Sequence, residues 1–382
     1  MKYRLLSTTC EYSKDRISVE EVNENNYIST ENMLPNRGGV ETAPSVAEGK
    51  TFPAYKEGDI LLSNIRPYFK KIWFADKKGG CSNDVLVLKT NKSVDKRFLY
   101  YVLSDNNFFN YSTVTSKGTK MPRGSKTAIM KYLVPDVDMP TQKRIADILS
   151  AYDDLIENNN RRIALLEKAA QELYKEWFIR FRFPGHETAK FENGIPKGWG
   201  IKKLFDVANV KYGYAFKSEL FCDDMALTPV VRIRDVPNNK SNTYTSEVCD
   251  KKYLIEENSI LIGMDGIFHM CLWNGEKAYL NQRVVEIRSK KECLSNLHLF
   301  FALLPQVKYW EQTIAGTTVA HLGDKHIKKM TVIMPDEKTA RKATAIFNEI
   351  MIQKNTLFKQ NQNLTKQRDL LLPRLMSDKL EV

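Results

Sequence analysis

Two stretches of this chain repeat apolar residues every three or four positions for far longer than one small core can use. From Thr141 to about Phe181, the positions Leu149, Tyr152, Ile156, Asn159, Ile163, Leu166, Ala170, Leu173 and Trp177 follow the a/d spacing of a coiled-coil helix. Pro140 stands before this run and Pro184-Gly185 after it, where a helix is expected to start and stop. At about 1.5 Å per residue such a helix extends roughly 60 Å. A second stripe runs from about Lys338 to Leu372, with Ala343, Phe347, Ile350, Leu357, Leu364, Leu371 and Leu375 on one face. Lys354, Asn361 and Arg368 interrupt it, and Pro373 is expected to end or kink it. Two such stripes in one chain are buried most simply against each other, as an antiparallel coiled coil. Asn159, a lone polar member of the first seam, is expected to fix its register.

The remaining regions read as mixed strands and short helices, an α/β (α+β) composition with alternating runs such as Asp84-Val85-Leu86-Val87-Leu88 and Val284-Val285-Glu286-Ile287. They match one another at a shift close to 200 residues. Gly58-Asp59-Ile60-Leu61-Leu62 corresponds to Asn258-Ser259-Ile260-Leu261-Ile262, Trp73 to Trp273, Asn83 to Asn281, and Gly118-Thr119 to Gly316-Thr317. Val134-Pro135 and Met334-Pro335 then lead into the two helices. The shared order makes the chain a duplication of one globular domain followed by one long helix. The expected boundaries are 1–139 and 185–335 for the globular domains, 140–184 for the central spacer helix, and 336–382 for the C-terminal helix and tail. A pseudo-twofold molecule built this way suits a two-part site on a long polymer.

Charge says which polymer. Lys and Arg number 58 against 46 Asp and Glu, a net charge of +12, which favours a polyanion and makes nucleic acid the first choice. The excess is spread along both halves, with one dense patch. Between Asp105 and Asp136 there is no acid, while Lys117, Lys120, Arg123, Lys126 and Lys131 fall within that interval. The glycines, proline and hydroxyls of Ser116–Lys126 mark an exposed loop whose donors can reach phosphates and base edges. Lys117, Lys120, Arg123 and Lys126 are therefore the leading DNA-binding candidates in the first domain, with Thr317, His321, Lys325 and Lys328 in the matching second loop. Arg66, Lys70 and Lys71 are secondary candidates. Trp73 and Trp273 read as core or loop supports. The six cysteines are scattered without a Cys-x-x-Cys pair, and so read as reduced thiols. No apolar run approaches the length of a membrane span and no secretory signal is written at the N-terminus, so a cytoplasmic chain is expected.

Catalytic motifs are absent where they would be needed. Gly49-Lys50-Thr51 imitates the end of a phosphate-binding loop, but Pro44 stands where its first glycine belongs. No dinucleotide fingerprint follows a strand, and there is no Pro-Pro dipeptide of the kind that amino-methylating DNA enzymes use at the target amine. Asp59 with Asp76-Lys77-Lys78 resembles a nuclease metal site, yet the second copy has Ser259 and Asn274-Gly275-Glu276 there. His321 and His326 near Asp324 are too few for a metal centre. No catalytic residue and no metal ligand is assigned.

One family joins these features. Pro140-Thr141-Gln142-Lys143-Arg144-Ile145-Ala146-Asp147-Ile148-Leu149, the run Asp153–Ile163, and Tyr174-Lys175-Glu176-Trp177-Phe178 with Phe181–Gly185 resemble the central helix of type I restriction-modification specificity subunits. Ile195-Pro196-Lys197-Gly198-Trp199, Gly213-Tyr214-Ala215-Phe216 and the ending Leu371–Ser377 are similar to that family too, so the resemblance spans the chain. The second helix departs from the pattern, with Arg341-Lys342 where the first copy has Gln142. The resemblance implies two target-recognition domains on double-stranded DNA, each reading half of a split sequence. It also implies paired helices that space the domains and dock two methyltransferase subunits. S-adenosylmethionine would sit on those subunits, and ATP and Mg on a restriction subunit, with no cofactor on this chain. The alternatives are a stand-alone bipartite DNA-binding module, an anti-restriction mimic, which should be acidic, and a fused nuclease or methyltransferase.

Overall fold

The structure, a computed structural model, describes residues 2–314 and 320–377. It divides into two compact units, one made of the residues up to Asn158 together with those from Gln360 onward, the other of Asn159–Lys359. Each long helix is therefore shared: the first half of one and the last half of the other belong to the same unit.

The first unit is organised by the strand Ile60–Ser63, which lies between Val85–Thr90 and Ile72–Phe74 in an antiparallel four-stranded sheet completed by Cys10–Tyr12. Ile60, Leu61 and Leu62 are all buried, the unbroken apolar run of a strand covered on both faces. Ile60 and Leu62 point into a core with Phe98, Leu99, Val102 and the residues Ile145, Leu149, Leu372 and Leu375 of the two long helices. Leu61 points the other way, into a core with Ile28, Met33, Tyr55 and Trp73. A second sheet, ordered Arg16–Ser18, Thr51–Tyr55, Gly79–Cys81, Tyr27–Ile28, covers that side.

The second unit repeats this plan. Ala208–Tyr212, Val284–Ser289, Ile260–Gly263 and Met270–Leu272 form its central sheet in the same order. Ile260 and Ile262 face Tyr174, Trp177, Phe178 and Phe347 of the long helices, while Leu261 faces Val231 and Trp273. Both central strands leave a residue in the left-handed region, Gly58 at φ 84° and Asn258 at φ 63°. Their amides donate to Ala75 O and Trp273 O, each at 2.8 Å, so the turn is reproduced bond for bond. Gly and Asn are the residues that tolerate this geometry.

The duplication holds, but its register differs from the 200-residue shift at several points. Leu61 pairs with Trp73 whereas Leu261 pairs with Cys271, so Trp73 corresponds to Cys271 and Trp273 to Ala75. Ile28 and Val231 pair with Cys81 and Leu280, which makes Ser82, not Asn83, the counterpart of Asn281. Val134 matches Val332 because Leu6 and Leu204 donate to Tyr132 O and Met330 O. Short insertions and deletions in the loops shift the offset to 198 there, and a repeated Trp or Pro two places away imitates a match.

The central helix spans Met139–Tyr174 and continues as a π-turn over Lys175–Ile179. The C-terminal helix spans Glu337–Met376 and does not end at Pro373. Only three residues follow that proline in the helix, and Leu375 and Met376 are held in the first unit's core. Within the first unit the helices run antiparallel, with Leu149 in the same core as Leu372 and Leu375, and Asp153 against Arg368. Within the second unit they do so again, with Glu167 against Lys354 and Phe178 against Phe347. Leu149, Asn159 and Leu357 are buried, and Tyr152, Ile156, Ile163, Leu166, Leu173, Ile350, Asn361 and Leu364 are half-buried. Off the stripe, Leu155 and Leu165 are 53% and 67% exposed, which separates seam from surface on one helix.

The helix starts explain the Gln142 departure. Asp138 and Asp336 cap the two helices through the amides of Thr141 and Thr339, so the counterpart of Gln142 is Ala340 rather than Arg341-Lys342. Gln142 Oε1 accepts from the amide of Asp95, the N-cap of the helix Lys96–Ser104. In the second unit the amide of Ser295, the matching cap, is satisfied by Thr344 Oγ1 at 3.1 Å. The same buried donor is served from one turn further along the helix.

The caps also align Phe98 with His298. His298 packs against Phe178 and Tyr174, and burial pushes its imidazole down to about 4 from 6.5. Between those values the unfolded chain holds a proton that the folded one excludes, so stability falls as pH drops from 6.5 to 4. The loss is up to about 3 kcal/mol at the acid end. In urea denaturation at pH 7.5 and pH 4.5, His298→Phe is expected to remove this component of the pH dependence. An unchanged difference would mean that other groups carry it.

Candidate nucleic-acid interface

The basic loop of the first unit is built on a narrow ribbon. Lys117 and Arg123 exchange backbone hydrogen bonds of 2.8 and 2.9 Å, which closes the segment between them into a hairpin, and Gly118 supplies its left-handed turn residue at φ 93°. The outer strand of this hairpin pairs with the loop that follows Ile60–Ser63, since Gly124 donates to Asn64 O and Arg66 to Pro122 O. Lys117, Lys120 and Arg123 are exposed on the ribbon, with Arg66 half-buried beside them. Lys126 begins the short helix Lys126–Ile129, capped by Ser125, and its ammonium lies 5.9 Å from the Tyr12 ring. The structure thus brings Lys117, Lys120, Arg123 and Arg66 together on the ribbon, with Lys126 on the short helix that follows it.

Lys70 and Lys71 close the neighbouring loop. Arg66 and Lys70 flank the single turn Pro67–Phe69, and both are in the left-handed region, at φ 49° and 54°. Non-glycine residues hold this geometry at a cost of about 1 kcal/mol or more each, which the contacts around the loop must offset. Here the loop is fixed from below: Asn36 and Arg37 donate their amides to Phe69 O and Lys70 O. Arg37 in turn reaches Ser104 O and Asp369. Tyr68 and Phe69 are left exposed at the tip. Lys70 Nζ donates to Asn106 and Lys71 Nζ to Thr30 O. Desolvation lowers the Lys71 ammonium from its usual value, so this lysine is a support for the loop more than a free contact.

In the second unit His321 sits where Arg123 sits in the first, because Leu322 donates to Met264 O as Gly124 does to Asn64 O. His321 Nδ1 lies 2.6 Å from Asp265, which also faces Arg283 at 3.4 Å. Lys325 is exposed on the short helix Asp324–Ile327. Lys328 is paired with Asp324 at 2.5 Å, and Asp324 also accepts from Tyr212, so this lysine is partly neutralised. Thr317 lies outside the described residues.

Three charged residues on these faces escaped the reading of loops alone. Asp84 pairs with Arg123 at 3.1 Å, and Asp265 and Arg283 surround His321. A signal was present: Asn83-Asp84-Val85-Leu86 and Gln282-Arg283-Val284-Val285 place one charged residue immediately before the same buried strand in both copies. Asp59, the false nuclease lead, is a turn cap that accepts from the Lys56 amide. Among the described residues no helix is long and apolar enough to cross a membrane.

Against known proteins, residues 8–168 and 196–366 match the family described as Type I restriction modification DNA specificity domain, once for each copy. The chain belongs to this family. It is 28% identical over 316 residues to the type I restriction enzyme MjaIX specificity subunit of Methanocaldococcus jannaschii, covering 76% of this chain and 70% of that one. It is 24% identical to the HindI specificity subunit of Haemophilus influenzae over 93% of this chain and 94% of the relative. A crystal structure of the S subunit from M. genitalium shares the fold at a TM-score of 0.59 with 16% identity, over 98% of this chain and 96% of that one. The double match of the family and the repeated sheet topology describe the same duplication.

Exposed ammonium groups on phosphate act additively through counterion release, by about 0.9 in the log–log salt slope per contact. Lys117→Ala with Lys120→Ala is expected to weaken duplex binding on every sequence and to flatten the salt dependence by about two units. Titration of labelled duplexes across a range of KCl concentrations measures this; an unchanged slope removes both lysines from the phosphate contacts.

Proposed function

We propose that this chain is the DNA sequence-recognition subunit of a type I restriction-modification complex and that each domain reads one half of a bipartite target. The observation that carries this reading is the repetition of one frame: the same backbone bonds follow the same buried strand in each copy, and this frame presents the exposed Arg123, with Lys117 and Lys120 beside it, in the first domain and the exposed His321 and Arg283 in the second. Arginine and lysine at such positions serve guanine edges and phosphates, and the exposed Tyr68 and Phe69 add surface for sugar and base contact.

In this reading the chain performs no bond chemistry of its own. Methyltransferase subunits, two of them, supply S-adenosylmethionine and the methylating residues, and restriction subunits supply ATP hydrolysis, Mg and cleavage. The sequence supports this by what it lacks, namely the Pro-Pro turn, the phosphate loop and the dinucleotide fingerprint. The cytoplasm, where the DNA is, is the compartment that fits. The long helices act as spacer and docking surface, and Asn159, buried in the seam, holds their register.

The deciding experiment is co-expression of the chain with its modification subunit in a methylation-free host, followed by sequencing of methylated bases. A split target with two defined halves is expected; methylation without sequence preference, or at one undivided site, would overturn the reading. A stand-alone binding module would instead select a split duplex without directing any methylation. Lengthening both helices by one matched heptad is expected to change the spacing between half-sites and leave their bases alone. Altered half-site bases would end the spacer role.

A further inference from the structure

We propose that three matched positions, occupied by Ile65, Asp84 and Arg123 in the first domain and by Asp265, Arg283 and His321 in the second, determine which bases each half-site contains. This rests on the DNA-recognition reading above and narrows it from loops to a triplet.

The match is fixed by backbone bonds rather than by residue type. Asn64 donates to Asp84 O at 2.8 Å, as Met264 donates to Arg283 O at 2.9 Å. Gly124 donates to Asn64 O at 2.9 Å, as Leu322 donates to Met264 O at 2.8 Å. Isolated bridges then set Ile65 opposite Arg123 and Asp265 opposite His321. Three chain segments therefore meet in one arrangement in both domains. The side chains on that frame differ at every position: apolar, acidic and cationic in one copy, acidic, cationic and imidazole in the other.

A duplicated frame with unrelated side chains is what two domains need if they share a docking geometry and read different bases. Arg123, Arg283 and His321 face solvent, with side-chain exposures of 54%, 53% and 44%, while Ile65, Asp84 and Asp265 are half-buried beside them. Surface pairs of this kind contribute little to folding, so stability does not account for them. They do hold the donors in place before a ligand arrives: Arg123 on Asp84, and Arg283 and His321 on the two oxygens of Asp265. A restrained guanidinium suits the paired acceptors of guanine, a carboxylate accepts from the amino group of cytosine, and Ile65 can meet a thymine methyl. Lys117 and Lys120, exposed on the same hairpin as Arg123, would supply phosphate contacts that position the first triplet.

The test grafts one triplet onto the other frame. The full chain carrying Ile65→Asp, Asp84→Arg and Arg123→His together is co-expressed with the modification subunit, and its methylated sites are sequenced beside those of the unaltered complex. The first half-site is expected to change at one to three base pairs, with roughly ten- to hundred-fold loss of preference for the original bases, while the second half-site is unchanged. Arg123→Lys alone keeps the charge and loses the paired donors; it is expected to relax one base pair while duplex affinity stays within about threefold. This variant also covers the case in which the triple graft fails to fold. Unchanged base preference in Arg123→Lys, or an affinity loss equal on all sequences, would overturn the triplet and leave the recognition reading intact. Absence of a split target in the unaltered complex would overturn both.

Discussion

Neither central sheet can cover its own helix-side face with the residues of its own repeat. In the first domain Ile60 and Leu62 are buried under Phe98, Leu99 and the start of the central helix, and also under Leu372 and Leu375, which lie some 300 residues later in the chain. In the second domain Ile260 and Ile262 share a core with Phe347, which follows that domain, and with Tyr174, Trp177 and Phe178, which precede it. Each fully buried aliphatic or aromatic side chain of this kind is worth about 1.5–3 kcal/mol, comparable with a large part of a domain's net stability. The helix seam is thus a condition for both domains being folded as they are. It also explains why the C-terminal helix runs past Pro373: the residues beyond the proline complete a core.

Polar residues in that seam do specific work. Arg368 reaches Asp153 at 2.5 Å, and Asp153 also accepts from Tyr101 at 2.6 Å. Asp369 takes Arg37, whose backbone carries the loop with Lys70. Desolvation works against these charges, and a carboxylate shared by two donors compensates them only while the geometry is kept. The network therefore sets one alignment of the C-terminal helix on the first domain. Because Arg37 belongs to it, the alignment is transmitted to the strained loop between Arg66 and Lys70. In the second unit Glu167 pairs with Lys354 across the helices.

Much of this was legible in the residues. The heptad stripes placed both helices, and the match of Gly58-Asp59-Ile60-Leu61-Leu62 to Asn258-Ser259-Ile260-Leu261-Ile262 placed the repeated central strand. The basic loop was legible too, since its lysines lie together along the chain. What the residues did not disclose was pairing between distant segments. Trp73 and Trp273 looked equivalent and are not, because strand register is set by hydrogen bonds that leave no mark on composition. Gln142 and Thr344 do one job from different turns of their helices, which no fixed offset reveals. Asp84 and Arg283 are each the one charged residue of an otherwise uncharged stretch, far along the chain from the loops they meet. Lys71 and Lys328 looked like free cations and are engaged by a carbonyl and a carboxylate.

The same contrast bears on how such a chain can change its target. Backbone bonds from Asn64 and Met264 hold the frame through main-chain atoms, which any residue supplies. Arg123, Arg283 and His321 on that frame are exposed and their ion pairs add little to stability, so they can be replaced at small cost to the fold. The hydrophobic strands and the helix seam allow no such freedom, since a lost methylene there opens a cavity. A duplicated protein divided in this way can drift at its reading positions while its core and spacer stay as they are. Arg123 with Asp84, and His321 with Asp265 and Arg283, stand on frames that agree bond for bond, so the two copies agree in the frame and differ at the positions proposed to read bases.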